Sequence, residues 1–133
     1  MTRIECLADA FMRLNGYHDP FSVAYKNRNP GLLKAFSTKH TKDEQGYRVF
    51  NSFSSGYDNL VLDLKIKCSG NSFSRLKTTD TLRDLVVCFG NDASSTRSVK
   101  NFLRHALMDE SIAESQPLEW FMEDQKAVLT AGE

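Results

Sequence analysis

Asn15, His18 and Asp19 stand close together where a predicted first helix runs out into a loop, and Tyr25, Arg28 and Asn29 follow in the same loop. An imidazole beside a carboxylate can pass a proton, so His18 and Asp19 are candidate surrogate acids. The Asn15 amide can donate and accept hydrogen bonds but has no proton to give at neutral pH. Tyr25, Tyr47 and Tyr57 carry rings that can stack on sugars. Arg28 and Asn29 can hold a carboxylate or an acetamido group.

Each of these residues has a plainer use. His18 and Asp19 precede Pro20 and suit a turn. The tyrosines can be packing residues, and Arg28 and Asn29 can tie the loop to itself. Glu5 sits at the far end of the helix as a cap, and Glu44 lies in a flexible polar loop. No catalytic residue is assigned. The candidate ligand-binding set is Asn15, Tyr25, Arg28, Asn29, Tyr47 and Tyr57. No metal-ligand spacing, nucleotide loop or serine triad is visible, and Gly31, Gly46 and Gly56 are isolated, so no metal and no cofactor are expected.

The elements that must position these side chains read as mainly helical. Thr2-Arg3-Ile4-Glu5 is a capping box, and Ile4, Leu7, Phe11 and Leu14 form one stripe that Gly16 closes, giving a helix from Arg3 to Asn15. Tyr17 to Phe36 reads as loop with one short helical turn, broken at Pro20 and at Asn29-Pro30-Gly31. The segment from Ser37 to Gln45 has no apolar residue. Tyr47-Arg48-Val49-Phe50 alternates like a strand and needs a partner near Leu32 to Phe36, which makes a small β-hairpin in the first third. Ser52 or Ser54 opens a helix carrying Tyr57, Leu60, Val61 and Leu64. Thr79 or Thr81 opens one carrying Leu82, Leu85, Val86 and Phe89. Ser94 or Ser95 opens one carrying Val99, Phe102, Leu103, Ala106 and Leu107. Pro117 starts a last helix with Leu118, Phe121 and Met122, and the tail after Ala127 is expected to fray. The expected fold class is α+β, in one domain spanning residues 1–133.

Composition bounds the function. With 133 residues, 17 basic and 17 acidic side chains, the net charge is zero, which argues against a general nucleic-acid binder. The charge is nevertheless uneven. Lys26, Arg28, Lys34, Lys39 and Lys42 face one acid between positions 26 and 43, whereas positions 109–133 hold seven acids and one lysine. Cys6, Cys68 and Cys88 lack metal or redox spacing; an odd count with no signal peptide points to reduced thiols in a cytosol, with Cys68 and Cys88 as small core residues. No apolar run is long enough to span a membrane. A monomer is expected, because no long heptad pattern is present. Trp120-Phe121-Met122 is the one cluster that can be either core or interface, and burial is the expectation.

Several blocks point the same way. Phe11-Met12-Arg13-Leu14-Asn15-Gly16, followed by Ser22 through Leu32 (Ser-Val-Ala-Tyr-Lys-Asn-Arg-Asn-Pro-Gly-Leu), resembles the opening of a phage and prophage family of lysozyme-like, lytic-transglycosylase-like proteins. That family opens with a helix ending in Glu-Gly and a loop carrying Arg-Asn-Asn-Pro-Gly-Asn-Leu. Gly46-Tyr47-Arg48-Val49-Phe50 with Gly56-Tyr57 and Leu60 is similar to its next block. Thr81-Leu82, Leu85, Asn91-Asp92, Phe102 and Pro117-Leu118 resemble its third. The likeness spans residues 4 to 118. It implies a lysozyme-like fold and an ancestral substrate in the glycan strand of peptidoglycan. It also implies that one glutamic acid at the end of the first helix protonates the glycosidic oxygen. Asn15 occupies that position here, and Gly31-Leu32 lacks the family's intervening asparagine.

Three functions follow as expectations. The first is a non-catalytic phage- or prophage-encoded protein that binds a peptidoglycan glycan or a protein partner. The second is an active muramidase or lytic transglycosylase with a relocated acid. The third is a phage-encoded inhibitor of a host or defence protein, of the anti-CRISPR type.

Overall fold

The first helix, α1 (Arg3–Leu14), begins where its sequence says it should. Thr2 Oγ1 accepts the Glu5 backbone N–H at 3.2 Å, and Glu5 Oε1 accepts the Thr2 backbone N–H at 3.1 Å. The Thr2 N–H, and after it the Thr2 hydroxyl donating to the same Oε1 at 3.0 Å, hold the Glu5 carboxyl below its usual range. Asn15 is the residue that ends the helix, and Gly16 takes the left-handed φ of 69° that lets the chain leave it. Ile4, Leu7, Ala8 and Phe11 are wholly buried on one face. The computed structural model describes residues 1–71, 75–92 and 94–125. The tail beyond Ala127 and residues 72–74 of the connector before α4 lie outside it.

Short α2 (Val23–Lys26) is capped by Ser22. The longest helix, α3 (Phe53–Cys68), is capped by Ser52, whose hydroxyl accepts the Ser55 N–H, and buries Gly56, Leu60, Leu64 and Cys68 at four-residue intervals. A second capping box, Thr81 with Asp84, opens α4 (Leu82–Cys88). In α5 (Ser95–Ala106) Val99 and Leu103 face inward, and the start is held by Asp92, which accepts the Ser95 N–H at 3.1 Å, rather than by Ser94. A 3-10 helix, Leu118–Met122, follows Pro117 and buries Leu118 and Phe121 completely. Helix α1 packs on α5 and α3, α3 on the 3-10 helix, and α4 on α5. All contribute to one apolar cluster. Trp120 and Met122 pack against that cluster, so the Trp120-Phe121-Met122 group is core and core edge.

Two expectations need correction. The β-hairpin does not form: the described residues contain no strand, and the fold class is helical rather than α+β. The two segments do meet, through Arg48 N–H to Leu33 O and Ala35 N–H to Gly46 O, both at 2.9 Å. They leave only isolated bridges at Lys34–Tyr47 and Lys42–Arg48. The ladder stops because side chains take over its work. Asn29 occupies the Leu33 and Arg48 carbonyls, and Asp43 Oδ1 accepts the Tyr47 N–H at 3.0 Å. The second correction is Cys88, which is exposed, unlike the buried Cys6 and Cys68. It lies off the Leu82, Leu85, Val86 face and points away from the core.

Among the described residues no helix is long and apolar enough to cross a membrane.

Candidate ligand groove

The Asn29-Pro30-Gly31 turn is seated directly on α3. A Cβ added at Gly56 would fall 2.0 Å from the Arg28 carbonyl oxygen, so only glycine lets helix and turn touch there. One added at Gly31 would lie 2.5 Å from Leu60 Cδ1. Arg28 and Leu32, flanking the turn, take left-handed φ angles of 51° and 48°. Such angles cost a non-glycine residue roughly 1–2 kcal/mol each, so the surrounding contacts must hold them. Asn29 supplies much of that hold. It is fully buried, its Nδ2 donates to Leu33 O at 2.9 Å and to Arg48 O at 3.0 Å, and its Oδ1 accepts the Leu33 N–H at 2.9 Å.

Asn15 joins the same unit. Its Nδ2 donates to Pro30 O at 3.0 Å, stapling the end of α1 to the turn. Beside this staple a groove of about 770 Å³ opens. Asn15 and the 32–36 segment lie along it, as do Tyr47 and Arg48. Helix α3 contributes Asn59, Leu62, Asp63, Ile66 and Lys67, and the end of α4 contributes Cys88 to Asn91. The groove is therefore built where three helices meet the loop that the turn organises.

Its charges are unequal in kind. Lys67 Nζ lies 2.6 Å from Asp63 Oδ2, one helical turn away, and 5.0 Å from the centre of the Phe89 ring. Asp63, the one acid lining the groove among the described residues, is thus tied to a cation. Arg48 lies over the Phe50 ring at 4.5 Å and reaches Asn59 Oδ1 at 3.5 Å. Burial presses its guanidinium pKa below the usual value. Lys34 rests over the Tyr47 ring at 5.3 Å.

The sequence-derived candidates divide between this groove and other places. Asn15 and Tyr47 line it. Asn29 lies beneath it as an internal brace. Arg28 is exposed and donates to Asn51 O at 3.2 Å. Tyr25 is half-exposed and packs on Tyr17 at 5.6 Å between ring centres; Tyr17 in turn meets Phe53 at 5.0 Å. Tyr57 bridges α3 to α1, donating its hydroxyl to Asp9 Oδ1 at 2.9 Å, and burial followed by this hydrogen bond raises its pKa. His18 and Asp19 are exposed, and Asp19 caps its own turn by accepting the Phe21 N–H at 2.9 Å. Neither lines the groove.

Residues that the sequence reading passed over are Arg48, Asn59, Asp63 and Lys67. The signal was present: Asn59, Asp63 and Lys67 recur every fourth position on α3 as a polar stripe beside the buried one. What the sequence does not supply is the loop that turns this stripe into a groove wall. Among the described residues no cluster of three or more His, Cys, Asp or Glu side chains is placed to hold a metal ion. No family model, curated protein or solved structure matches the chain.

Proposed function

We propose that this protein is a non-catalytic, lysozyme-like binding module whose groove takes an amino-sugar strand of the peptidoglycan type. The observation that carries the reading is that neither candidate proton donor in the groove is free to act: one position is an amide and the other an acid tied to a lysine. Asn15 presents an amide where the resembled family places its acid, and that amide is engaged with Pro30 O. Asp63, the acid that does line the groove, is paired with Lys67. Held at 2.6 Å, the Asp63 carboxylate is committed to Lys67 as a hydrogen-bond acceptor. The remaining polar groups, Asn59, Asn91 and Tyr47, offer amide and hydroxyl partners of the kind acetamido and hydroxyl groups need. Leu62, Ile66 and Phe36 add apolar surface for sugar faces.

The test is to incubate the purified protein with insoluble peptidoglycan and to measure both co-sedimentation and release of soluble muropeptides. Binding without release is expected. Release of muropeptides would replace this reading with an active enzyme, and Asp63→Asn would then show whether Asp63 is the relocated acid. No co-sedimentation would leave the groove without a glycan ligand.

A further inference from the structure

We infer that the Arg48 end of the groove is a carboxylate-binding subsite, so that the ligand is an acidic rather than a neutral amino sugar. This inference rests on the glycan reading above and adds the ligand's charged group to it. Among the groove's four charged side chains, Asp63 and Lys67 neutralise each other at 2.6 Å. Arg48 and Lys34 remain, and neither has an acidic partner within ion-pair distance among the described residues. Arg48 is also partly desolvated, lying over Phe50 and beside Asn59 Oδ1. A cation withdrawn from water without a counter-charge gains most from an anion brought to it, and a guanidinium presents paired N–H donors that match a carboxylate. Unneutralised positive charge at this place is also felt by a neighbour. His40 Nδ1 is buried with no hydrogen-bond partner among the described residues, and after burial itself the Arg48 charge is what holds its imidazole below the usual pKa.

Arg28, the arginine that the loop sequence offers for this role, is occupied with Asn51 O on the exposed side of the turn. Arg48 is carried into the groove instead by the hydrogen bond from its own N–H to Leu33 O and by the Asn29 amide on its carbonyl. The apolar groups across the groove, Leu62 and Ile66, leave the sugar ring a dry face while the carboxylate is read at one end.

The experiment is a backbone-amide NMR titration of the full chain with three probes: N-acetylmuramic acid, which carries a lactyl carboxylate, N-acetylglucosamine, which does not, and sodium acetate. The acidic sugar is expected to bind roughly tenfold more tightly than the neutral one, the scale of one charge-assisted hydrogen-bond pair, with shifts centred on Arg48 and Asn59. Arg48→Gln is expected to lower the acidic sugar to the level of the neutral one, and Arg48→Lys to keep part of the preference. Equal binding of the two sugars, or a preference that survives Arg48→Gln, overturns the subsite while leaving the glycan reading standing. Binding of acetate at Arg48 with neither sugar bound overturns the glycan reading and keeps the carboxylate site. Silence from all three probes overturns both. The unfolding midpoint of each variant, measured alongside, shows that lost binding is not lost folding.

Discussion

Asn29→Asp is nearly isosteric, yet it should be among the most damaging single changes in this chain. The replacement keeps an oxygen for the Leu33 N–H but removes both donors, leaving the Leu33 and Arg48 carbonyls facing a carboxylate oxygen at hydrogen-bond distance. The site is fully buried, so water does not fill the gap. The Arg48 carbonyl is orphaned, at about 1–3 kcal/mol, while the Leu33 carbonyl keeps the Arg48 N–H and loses a second hydrogen bond worth about 1 kcal/mol. The introduced carboxyl avoids the larger cost of buried charge by taking up a proton. A net loss of about 3 kcal/mol at pH 7 is the central expectation, or roughly 9 °C in midpoint at about 3 °C per kcal/mol for a chain of this size.

The pH dependence gives this prediction a sign that a simple packing defect lacks. The introduced carboxyl has a folded-state pKa raised above its unfolded value of about 3.9. Below the unfolded pKa both states are protonated, and the O–H restores one donor, so the gap between variant and parent is smallest. As pH rises from there through the raised folded-state pKa the gap widens, and then it levels off. Urea unfolding of both proteins at pH 4 and pH 7 measures it. A variant within about 1 kcal/mol of the parent at pH 7, or a gap that does not shrink toward pH 4, would refute the bridging role of the Asn29 amide.

Two further outcomes follow from close contacts and burial. Gly56→Ala should lower the urea midpoint, costing about 2 kcal/mol or more, because the Arg28 carbonyl is backbone and cannot swing aside as a side chain would. Helix propensity alone favours alanine by about 1 kcal/mol, so a stabilised variant would show that α3 and the turn do not touch. With a chromogenic disulfide reagent at pH 8, the folded protein should show one fast thiol, Cys88, with Cys6 and Cys68 reacting only on unfolding; two fast thiols would contradict the packing of α1 or α3. Burial pushes the Cys68 thiol up to about 12, so stability should also fall as pH rises above the ordinary thiol range toward that value.

The sequence carried the helices further than it carried the groove. Helix ends are local chemistry: Thr2 with Glu5, Ser52, Thr81 and the left-handed Gly16 each act on backbone groups within three or four residues, and each does so where expected. The strand reading failed because alternation at Tyr47 to Phe50 reports which side chains face inward, not whether a ladder continues. Here the ladder is cut by Asn29 and Asp43, whose side chains reach across 19 and 4 positions. Apolar neighbours give Cys88 the pattern of a core residue, but its angle on the helix does not place it there. Six positions past the buried Leu82, it falls away from that stripe. Tyr57 and Asn29 stand in the candidate ligand set beside a packing alternative because aromatic rings and amides serve packing and recognition equally well. Only the hydrogen bonds to Asp9 and to the loop carbonyls separate the two uses.

The charge distribution around Asn15 bears on whether restoring an acid there would restore chemistry. A general acid for a glycosidic oxygen must stay protonated near neutral pH, which needs a poorly solvated site without nearby cations. Here the groove holds Arg48, Lys34 and Lys67 against Asp63 alone among the described residues. Each uncompensated cation would draw a carboxyl at position 15 toward its ionised form. Such a carboxyl would also lose the bond that the Asn15 amide donates to Pro30 O and would repel that carbonyl instead. The amide is therefore more than a missing proton. It is the group that this turn and this charge pattern accommodate, which is the arrangement that the proposed binding role requires.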